Sequence, residues 1–509
     1  MLRLAGIFGD GMVLQRDRIC TVFGKDDQAS EVVLSFEGKE YRSPVKDGSF
    51  LISIEPHAVS TGLTMTVKGS TEIEIRDVCF GDVFYLGGQS NMELPVARTL
   101  DVSADEVAAS DYPYIRQYRV TPQYNMAEEE IAELPRNSWT AAVPGKIGEM
   151  SATGFYTAKR IYDKKKIPLG LVLGAQGGST IESWMPVEIL SRFGDFEDQM
   201  KPFMGKNALT DYLKKRDAGI ASWRDALSEE NEEKYIRDIP EGASDFTVPG
   251  LLLKKDGTEH IGVVWFYKEF ELKEEPGTDA FLYLGNLIDA DQTFINGTPV
   301  GRTEYRYPPR KYPFDGSILR KGRNLISVRL ILETGEGGFV AEHPYYLRTE
   351  KEQVDIAGSW KMVRGAKADA PVPVFKMGQE IPTSLYKTSV RTLKASAFAG
   401  VWWYQGESNS DAPEKYAEKF SAMISHWREL YGQKLPVIAV EMCDYVDPIS
   451  GIMTAGWESI QAQQRAAEQD VPDCVVVSAK DLGEPLDLHP QRKSELGERM
   501  AKAALKLYY

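Results

Sequence analysis

Residues 81–92 place a serine where it could act as a nucleophile. The stretch reads G-D-V-F-Y-L-G-G-Q-S-N-M, and its apolar run stops at two glycines shortly before Ser90. Short apolar runs bounded by glycines are typical of buried strands, and α/β sheets bind ligands at the carboxyl ends of such strands. Ser90 could therefore attack an ester carbonyl if a base and an oxyanion hole lie nearby. The alternative is a serine that only caps the next helix.

Histidine is the usual base for such a serine, and the chain has 5 histidines. His57 lies in a β-rich beginning, and His260 and His343 lie in a second β-rich segment. His426 falls inside a predicted helix. His489 follows the last predicted strand, at the sheet edge where Ser90 is expected, so elimination selects His489.

The loop that carries His489 also offers carboxylates. Asp487 stands two residues before His489 in the motif D-L-H-P, close enough to bind the far nitrogen of the imidazole and stabilise the imidazolium. Asp481 is a second candidate for this role, and Glu484 is a weaker third. The alternative is a turn aspartate beside a surface histidine.

An ester hydrolase also needs hydrogen-bond donors for the oxyanion that forms during the reaction. Gly178, in the turn Q-G-G-S-T, could present a backbone N–H after the second predicted strand. Gln405 offers a side-chain amide after the third strand, with Asn409 as a backup donor. Glycines after strands are also ordinary turn formers, so Gly178 alone indicates little. The prediction of acyl transfer depends on the nucleophile, the base and the oxyanion donors all following strands of one sheet.

The elements that must position these residues alternate as strand, loop and helix from residue 77 onward. This alternation predicts a parallel sheet with helices on both faces. The predicted strands are residues 83–86, 169–175, 398–404, 436–440 and 474–478. The predicted helices are residues 152–166, 383–395, 416–427, 457–468 and 494–507. Five strand–helix units predict a three-layer α/β domain.

Two further segments have a β-rich pattern. In residues 1–78, short alternating segments separated by turn residues predict an N-terminal β-sandwich domain. Residues 206–370 predict a charged helical linker followed by an inserted β-sandwich, in which Asn296 and Gly297 mark a hairpin turn. The α/β domain would then consist of two parts, residues 79–205 and 371–509.

The composition limits the possible partners and compartment. The net charge of −15 disfavours nucleic acid and anionic membranes, although a local basic pocket could overrule the average. The 4 scattered cysteines form no C-x-x-C motif, which predicts buried free thiols. No apolar run is long enough to cross a bilayer, and the beginning has no signal-peptide pattern, so we expect a cytoplasmic protein. A chain trimmed of a signal peptide would look the same and would be secreted or periplasmic. No motif indicates an oligomeric state.

Four sequence blocks together resemble those of the SGNH hydrolases. They are G-Q-S-N-M around Ser90, G-G-S-T-I-E-S-W around Gly178, W-Y-Q-G-E-S-N from Trp403, and D-L-H-P at Asp487. More narrowly, they are similar to the sialate O-acetylesterase branch of the carbohydrate esterases. The opening I-F-G-D-G-M-V-L-Q-R-D resembles the N-terminal β domain of that branch, and residues 262–272 resemble a jelly-roll accessory domain of glycosidases.

The resemblance implies a flavodoxin-like SGNH domain with Ser90 as nucleophile and His489 as base. It implies the N–H groups of Ser90 and Gly178 as oxyanion donors. Many SGNH enzymes supply a third donor from an Asn in a G-x-N-D setting, whereas here Gln405 of Q-G-E-S-N would take that role. Many also carry D-x-x-H where this chain has D-x-H, which leaves the acid open between Asp487 and Asp481.

The function that we expect is a serine esterase that removes acetyl groups from a sugar through an acyl-enzyme, without metal or cofactor. The alternatives are an acetylxylan or acetylmannan esterase and a non-catalytic carbohydrate-binding protein. A sialate pocket should contain a basic residue for the sugar carboxylate, and the sequence does not indicate which one. The residues that we expect to contact substrate are Asn91, Glu407, Asn409 and Trp184. Trp402, Trp403 and Tyr404 would either stack on sugars or pack in the core.

Overall fold

The structure is a computed structural model that describes residues 1–121, 126, 137–205, 207–228, 232–257 and 259–509. It has a mixed α/β fold with several sheets. The four cysteines are buried and free. In the part of the chain that is described, no helix has the length and apolarity needed to cross a membrane.

The chain begins with eight strands, of which the last is the longest. They are β1 (Arg3–Leu4), β2 (Val13–Gln15), β3 (Cys20–Lys25), β4 (Glu31–Phe36), β5 (Lys39–Pro44), β6 (Ser49–Ile54), β7 (Ser60–Lys68) and β8 (Glu72–Gly88). The first half of β8 pairs with β7 and the second half enters a parallel sheet. The predicted boundary after residue 78 therefore falls inside a strand, and the N-terminal strands share one hydrophobic core with the sheet that follows.

The next part supplies helices and the first strands that flank β8. Its elements are α1 (Ser90–Glu93), α2 (Leu100–Ala108), β9 (Tyr112–Arg119), β10 (Trp139–Ala142), α3 (Ala152–Lys165), β11 (Leu169–Leu173), α4 (Val187–Leu190), α5 (Glu197–Met200), α6 (Ala208–Asp225) and α7 (Glu232–Arg237). Ser151 caps α3, because its hydroxyl accepts a hydrogen bond from the N–H of Gly154 at 2.9 Å.

The following part is built from antiparallel strands. They are β12 (Ser244–Val248), β13 (Gly250–Leu252), β14 (Gly262–Leu272), β15 (Asp279–Ile288), β16 (Ala290–Ile295), β17 (Thr298–Thr303), β18 (Pro309–Asp315), β19 (Gly322–Leu332), β20 (Gly337–Phe339), β21 (Tyr345–Thr349), β22 (Gln353–Asp355) and β23 (Gly358–Lys367). They form two six-stranded sheets that enclose a separate core, and we call this part the insert. Asn296 and Gly297 form the predicted hairpin turn between β16 and β17.

The last part returns to the parallel sheet. Its elements are β24 (Gly400–Tyr404), α8 (Tyr416–Tyr431), β25 (Val437–Glu441), α9 (Ala455–Asp470), β26 (Cys474–Ser478) and α10 (Lys493–Leu507). The strand order is β10-β9-β11-β8-β24-β25-β26, and all neighbours are parallel except β10 and β9. The carboxyl ends of the parallel strands therefore meet at one edge, where loops bind ligands in such sheets.

Two features of this sheet differ from the prediction. The sequence analysis missed β9 and β10, because β9 carries Pro113 and the charged Arg116. Arg116 is buried and donates to the carboxylate and the carbonyl of Asp77, so its charge is satisfied inside the fold. The predicted helix 383–395 is helical over residues 384–393 but is not a regular α-helix, since it contains a π-helical segment, Tyr386–Val390, followed by a 3-10 turn, Arg391–Leu393. Thr388 and Thr392 each donate to the carbonyl four residues earlier, a bond that competes with regular helix.

Candidate functional site

A serine and a histidine meet at the carboxyl edge of the parallel sheet. Ser90 begins α1 directly after β8, and His489 lies on the loop between β26 and α10. Ser90 Oγ and His489 Nε2 are 2.9 Å apart, a hydrogen-bond distance. Both side chains are partly exposed to a cavity. The structure thus brings together the two residues that the sequence analysis selected from different ends of the chain.

Tight packing after β8 fixes the position of Ser90. Gly88 has φ +120°, and a Cβ there would lie 2.1 Å from the carbonyl oxygen of Tyr404 on β24. Only glycine allows so close an approach of two backbones. Gln89 continues the link, because its side-chain oxygen accepts hydrogen bonds from the N–H groups of Gly406 and Ser408 at 3.3 and 3.2 Å.

Asn91 holds the histidine loop against the serine. Its side-chain amide donates to the carbonyl of Leu488 at 3.1 Å and to Glu407 at 2.6 Å, and its oxygen accepts from Lys493 Nζ at 2.6 Å. Asn91 is 1% exposed and does not line the cavity. The predicted contact between Asn91 and substrate is therefore not available, since all its polar groups bind the protein.

Asp487 lies beside His489 but does not bind its imidazole. One carboxylate oxygen accepts the backbone N–H of His489 at 2.8 Å, and the other pairs with Nε2 of His343 at 2.8 Å. Nδ1 of His489 is buried without a hydrogen-bond partner among the described residues. The predicted bond to Nδ1 is not formed, because the D-x-H spacing turns the carboxylate onto the nearby main chain and His343 occupies its other oxygen.

The other two candidate acids lie elsewhere. Asp481 is exposed and makes a two-bond ion pair with Arg499 at 2.6 and 2.7 Å, so its carboxylate is directed away from His489. Glu484 lies close to His343 and Asp487. Burial, and then the charge of Asp487, raise the pKa of Glu484 above its ordinary value and favour its neutral form.

His343, Glu484 and Asp487 are also the residues in the described ranges that could hold a metal ion. Their ligand atoms lie within 4.8 Å of one another. Burial raises the pKa of Asp487, but the hydrogen bond and the charge of His343, together with the hydrogen bond from the backbone N–H of His489, outweigh it and hold that pKa below its usual range. Asp487 is therefore a carboxylate, already paired with His343. The sequence analysis did not anticipate this set, since His343 lies in the insert.

Two backbone N–H groups are available for an oxyanion near Ser90. Neither Ser90 nor Gly178 donates its N–H to an acceptor in the described part of the protein. Gly178 has φ +75° and lines the cavity together with Ser90 and His489. A Cβ at this position would lie 2.9 Å from Cε of Met377. Ser90 and Gly178, whose N–H groups are the predicted oxyanion donors, therefore line the same cavity as His489.

The side chain of Gln405 is not available as the third donor. It is 0% exposed, and its amide donates to the carbonyl of Ser179 at 3.1 Å and to Asn409 at 2.7 Å. Asn409 in turn donates to Glu182 at 3.0 Å and accepts from the N–H of Ile181 at 2.9 Å. The prediction that these amides face the site is wrong, because neighbouring loops saturate both of them. They connect the loop after β24 to the loop after β11.

A cavity of about 730 Å³ surrounds Ser90 and His489, within the size range of small-molecule sites. Tyr305 and Tyr307 of the insert line it, and Tyr307 contacts the His489 ring edge-on at 5.5 Å. Glu407 lines it as predicted, but Trp184 does not, since it is 0% exposed and packs against Trp403. Trp402, Trp403 and Tyr404 are likewise buried. The aromatic residues that line the cavity are instead Tyr305 and Tyr307 of the insert and Tyr445 and Trp457 of the α/β part.

The electrostatic surroundings keep His489 neutral. The pKa of His489 is lowered to about 3, chiefly by desolvation. The charge of Asp487 opposes this shift, and the charges of Arg98 and Lys493 add to it. For Nε2 to accept the proton of Ser90, Nδ1 must carry the ring hydrogen. A neutral histidine beside a hydroxyl and two free N–H groups can perform acyl transfer.

Comparisons with known proteins agree with this chemistry. A family model described as carbohydrate esterase, sialic acid-specific acetylesterase, matches residues 360–506. Sialate O-acetylesterase of Rattus norvegicus is 31% identical over 159 residues, which are 30% of this chain and 28% of that protein. The protein of that name from Homo sapiens is 29% identical over 119 residues, 22% of each chain. The chain thus matches less than a third of the length of these relatives. The resemblance to carbohydrate esterases is confirmed over residues 360–506, a segment that contains His489 but not Ser90.

The fold has a counterpart that extends over the whole chain. The crystal structure of a carbohydrate acetylesterase from Xanthomonas citri superposes with a TM-score of 0.60 and 22% identity. The match covers 100% of this chain and 76% of that protein. At this identity the likeness shows the shared fold, including its combination of α/β and β-rich parts.

Proposed function

We propose that the protein is a serine carbohydrate O-acetylesterase that acts on O-acetylated sialic acids. The observation that carries the proposal is the 2.9 Å contact between Ser90 Oγ and His489 Nε2 in a cavity that Gly178 also lines. The similarity of residues 360–506 to a sialic acid-specific acetylesterase supports the choice of substrate. We also propose that the parallel sheet forms an SGNH domain and that the insert is a jelly-roll sandwich.

The reaction proceeds by two acyl transfers. Ser90 Oγ attacks the acetyl carbonyl while its proton passes to Nε2 of His489, and the N–H groups of Ser90 and Gly178 bind the oxyanion. The bond between the acetyl carbon and the sugar oxygen then breaks, and the sugar oxygen takes the proton from His489. Water then attacks the acetyl-enzyme with His489 as base, which releases acetate and restores Ser90.

Asp487 contributes to this reaction without touching the imidazole. Its carboxylate accepts the N–H of His489 and so holds the loop in position. Its negative charge also favours the imidazolium, because it raises the pKa of His489 against the effect of desolvation. Asp487 is therefore a positioning and electrostatic residue, and Ser90 and His489 are the residues that exchange protons.

Hydrolysis of an aryl acetate tests the esterase assignment. We expect Ser90→Ala to lower kcat by at least about a thousandfold, as loss of an attacking serine does. The matched control is Ser228→Ala, since Ser228 is exposed, does not line the cavity, and donates its hydroxyl to the carbonyl of Asp225 at 2.8 Å. Equal rates in wild type and Ser90→Ala would overturn the serine mechanism and leave a carbohydrate-binding protein.

Acetate release from a panel of polymers and sugars tests the substrate class. The panel contains O-acetylated sialosides, acetylated xylan and acetylated mannan. We expect the highest kcat/KM on the sialosides. Faster release from xylan or mannan would replace the sialate assignment by a hemicellulose esterase of the same mechanism.

A further inference from the structure

The cavity around Ser90 contains one cationic side chain. Arg98 is the only lysine or arginine among the described residues that line it. The guanidinium of Arg98 makes no hydrogen bond or ion pair with any residue that the structure describes, and only its backbone N–H is bonded, to the carbonyl of Pro95 at 2.9 Å. This is unusual because desolvating a charge is unfavourable unless a partner compensates it.

The fold holds Arg98 at this place. It lies in the 3-10 turn Val96–Thr99, whose Val96 and Thr99 are buried. Thr99 Oγ1 hydrogen-bonds the carbonyl of Val96 and the hydroxyl of Tyr156, both at 2.8 Å. Arg98 is itself only partly exposed, and burial lowers its pKa while the charge of Asp487 raises it. The guanidinium is thus a partly buried cation, carried by a fixed turn, that has no partner among the described residues.

The carboxylates of the cavity are mostly occupied by other groups. Glu93 pairs with Arg119 and accepts the N–H of Gly177. Asp447 accepts the N–H groups of Ile449 and Ser450 at 3.1 and 2.8 Å. Glu407 accepts the side-chain amide of Asn91 at 2.6 Å and Glu380 accepts the N–H of Met377, whereas Asp411 is exposed to solvent, which screens its charge. These contacts weaken the repulsion that an anionic ligand would otherwise meet.

We propose that Arg98 binds the carboxylate of an acidic sugar whose acetyl ester lies at Ser90. The planar guanidinium matches a carboxylate with two parallel hydrogen bonds, and desolvation strengthens such a pair. Sialic acids carry this carboxylate, whereas the sugars of xylan and mannan main chains are neutral. Arg98 would select the acidic substrate despite the net charge of −15 of the whole chain. This inference rests on the proposed function and deepens it.

The experiment uses two substrates that differ at the carboxyl group, one charged and one neutral. They are O-acetylated N-acetylneuraminic acid and the methyl ester of its carboxyl group, and the readout is acetate release. We expect the wild-type protein to show a kcat/KM about 10-fold or more higher on the free acid, the usual effect of one charge-assisted pair. In Arg98→Gln the ratio should fall to about one, and Arg98→Lys should keep part of the preference.

Arg492→Gln is the matched control, because Arg492 is ion-paired with Glu495 and does not line the cavity. It should keep the wild-type ratio. A wild-type ratio of about one, or an unchanged ratio in Arg98→Gln, would overturn the role of Arg98 while acetate release still supports the esterase. Cleavage of an aryl acetate without acetate from either sugar would instead overturn the sialate assignment itself.

Discussion

His343 of the insert pairs with Asp487 at 2.8 Å and is thereby connected to the loop that carries His489. The two residues are buried, and they belong to parts of the chain with separate cores. A second link lies at Asp101, which accepts from Tyr283 and Lys311 of the insert and from Gln491 of the histidine loop. The insert is therefore a structural part of the site.

Replacing His343 should weaken the reaction through Asp487. In His343→Gln we expect kcat on an aryl acetate to fall about 10- to 100-fold with little change in KM, because the loop loses an anchor close to the base. Burial lowers the pKa of His343, but its hydrogen bond and charge interaction with Asp487 outweigh this and raise it. Without His343, less of the negative charge of Asp487 is compensated, and that charge raises the pKa of His489 further. The acidic limb of the kcat/KM profile should therefore move to higher pH.

The control for this prediction is His57→Gln, since His57 lies in the loop between β6 and β7 and contacts Glu37. It should behave as wild type. A normal kcat and an unshifted pH profile in His343→Gln, measured with a folded protein, would show that the pair serves stability alone.

The serine and the base could be predicted from the sequence because each follows a strand of the sheet in a distinctive motif. Strand order places such residues at one edge without knowledge of side-chain directions. His343 could not be predicted this way, because the elimination of histidines assumed that one domain builds the whole site. The two tyrosines of the insert were missed for the same reason.

The errors at Gln405 and Trp184 have a different origin. Both residues lie after strands at the correct edge, as predicted. Whether a side chain there faces the cavity or the core depends on contacts with loops that are distant in sequence. The amide of Gln405 binds Ser179, and the indole of Trp184 also donates to Ser179 at 3.1 Å, so both side chains point inward.

Gly178 and Gln405, two of the three predicted oxyanion donors, should respond differently to substitution. Gly178→Ala should lower kcat about 10-fold or more, because φ +75° disfavours a side chain and the new Cβ would meet Met377. Gly48→Ala is the control, since it has φ +71° with open space around it. Gln405→Ala should instead lower the free energy of unfolding by about 1–3 kcal/mol through lost buried hydrogen bonds. Urea unfolding and kcat, measured on all three variants, check that Gly178 acts on catalysis and Gln405 on stability. A large loss of kcat in a stable Gln405→Ala protein would contradict this assignment.

Chelation tests whether the set of His343, Glu484 and Asp487 holds a metal ion. The proposed acyl transfer needs only Ser90, His489 and backbone donors, so dialysis against EDTA should leave kcat and KM unchanged. Loss of activity that a divalent cation restores would contradict the metal-free mechanism. If His343→Gln then removed the restoration, the ion would be assigned to this set.

The pH dependence of the reaction should reflect the depressed pKa of His489. Because desolvation lowers that pKa from 6.5 to about 3, the imidazole stays neutral, and able to accept the proton of Ser90, as the pH falls below 6.5. The acidic limb of kcat/KM for an aryl acetate should therefore lie well below pH 6.5, measured between about pH 4 and about pH 8. The charge of Arg98 lowers this pKa, so Arg98→Gln should move the limb to higher pH, whereas Asp487→Asn should move it lower. An acidic limb near pH 6.5 in the wild-type protein would show that His489 is more hydrated during turnover than its burial implies.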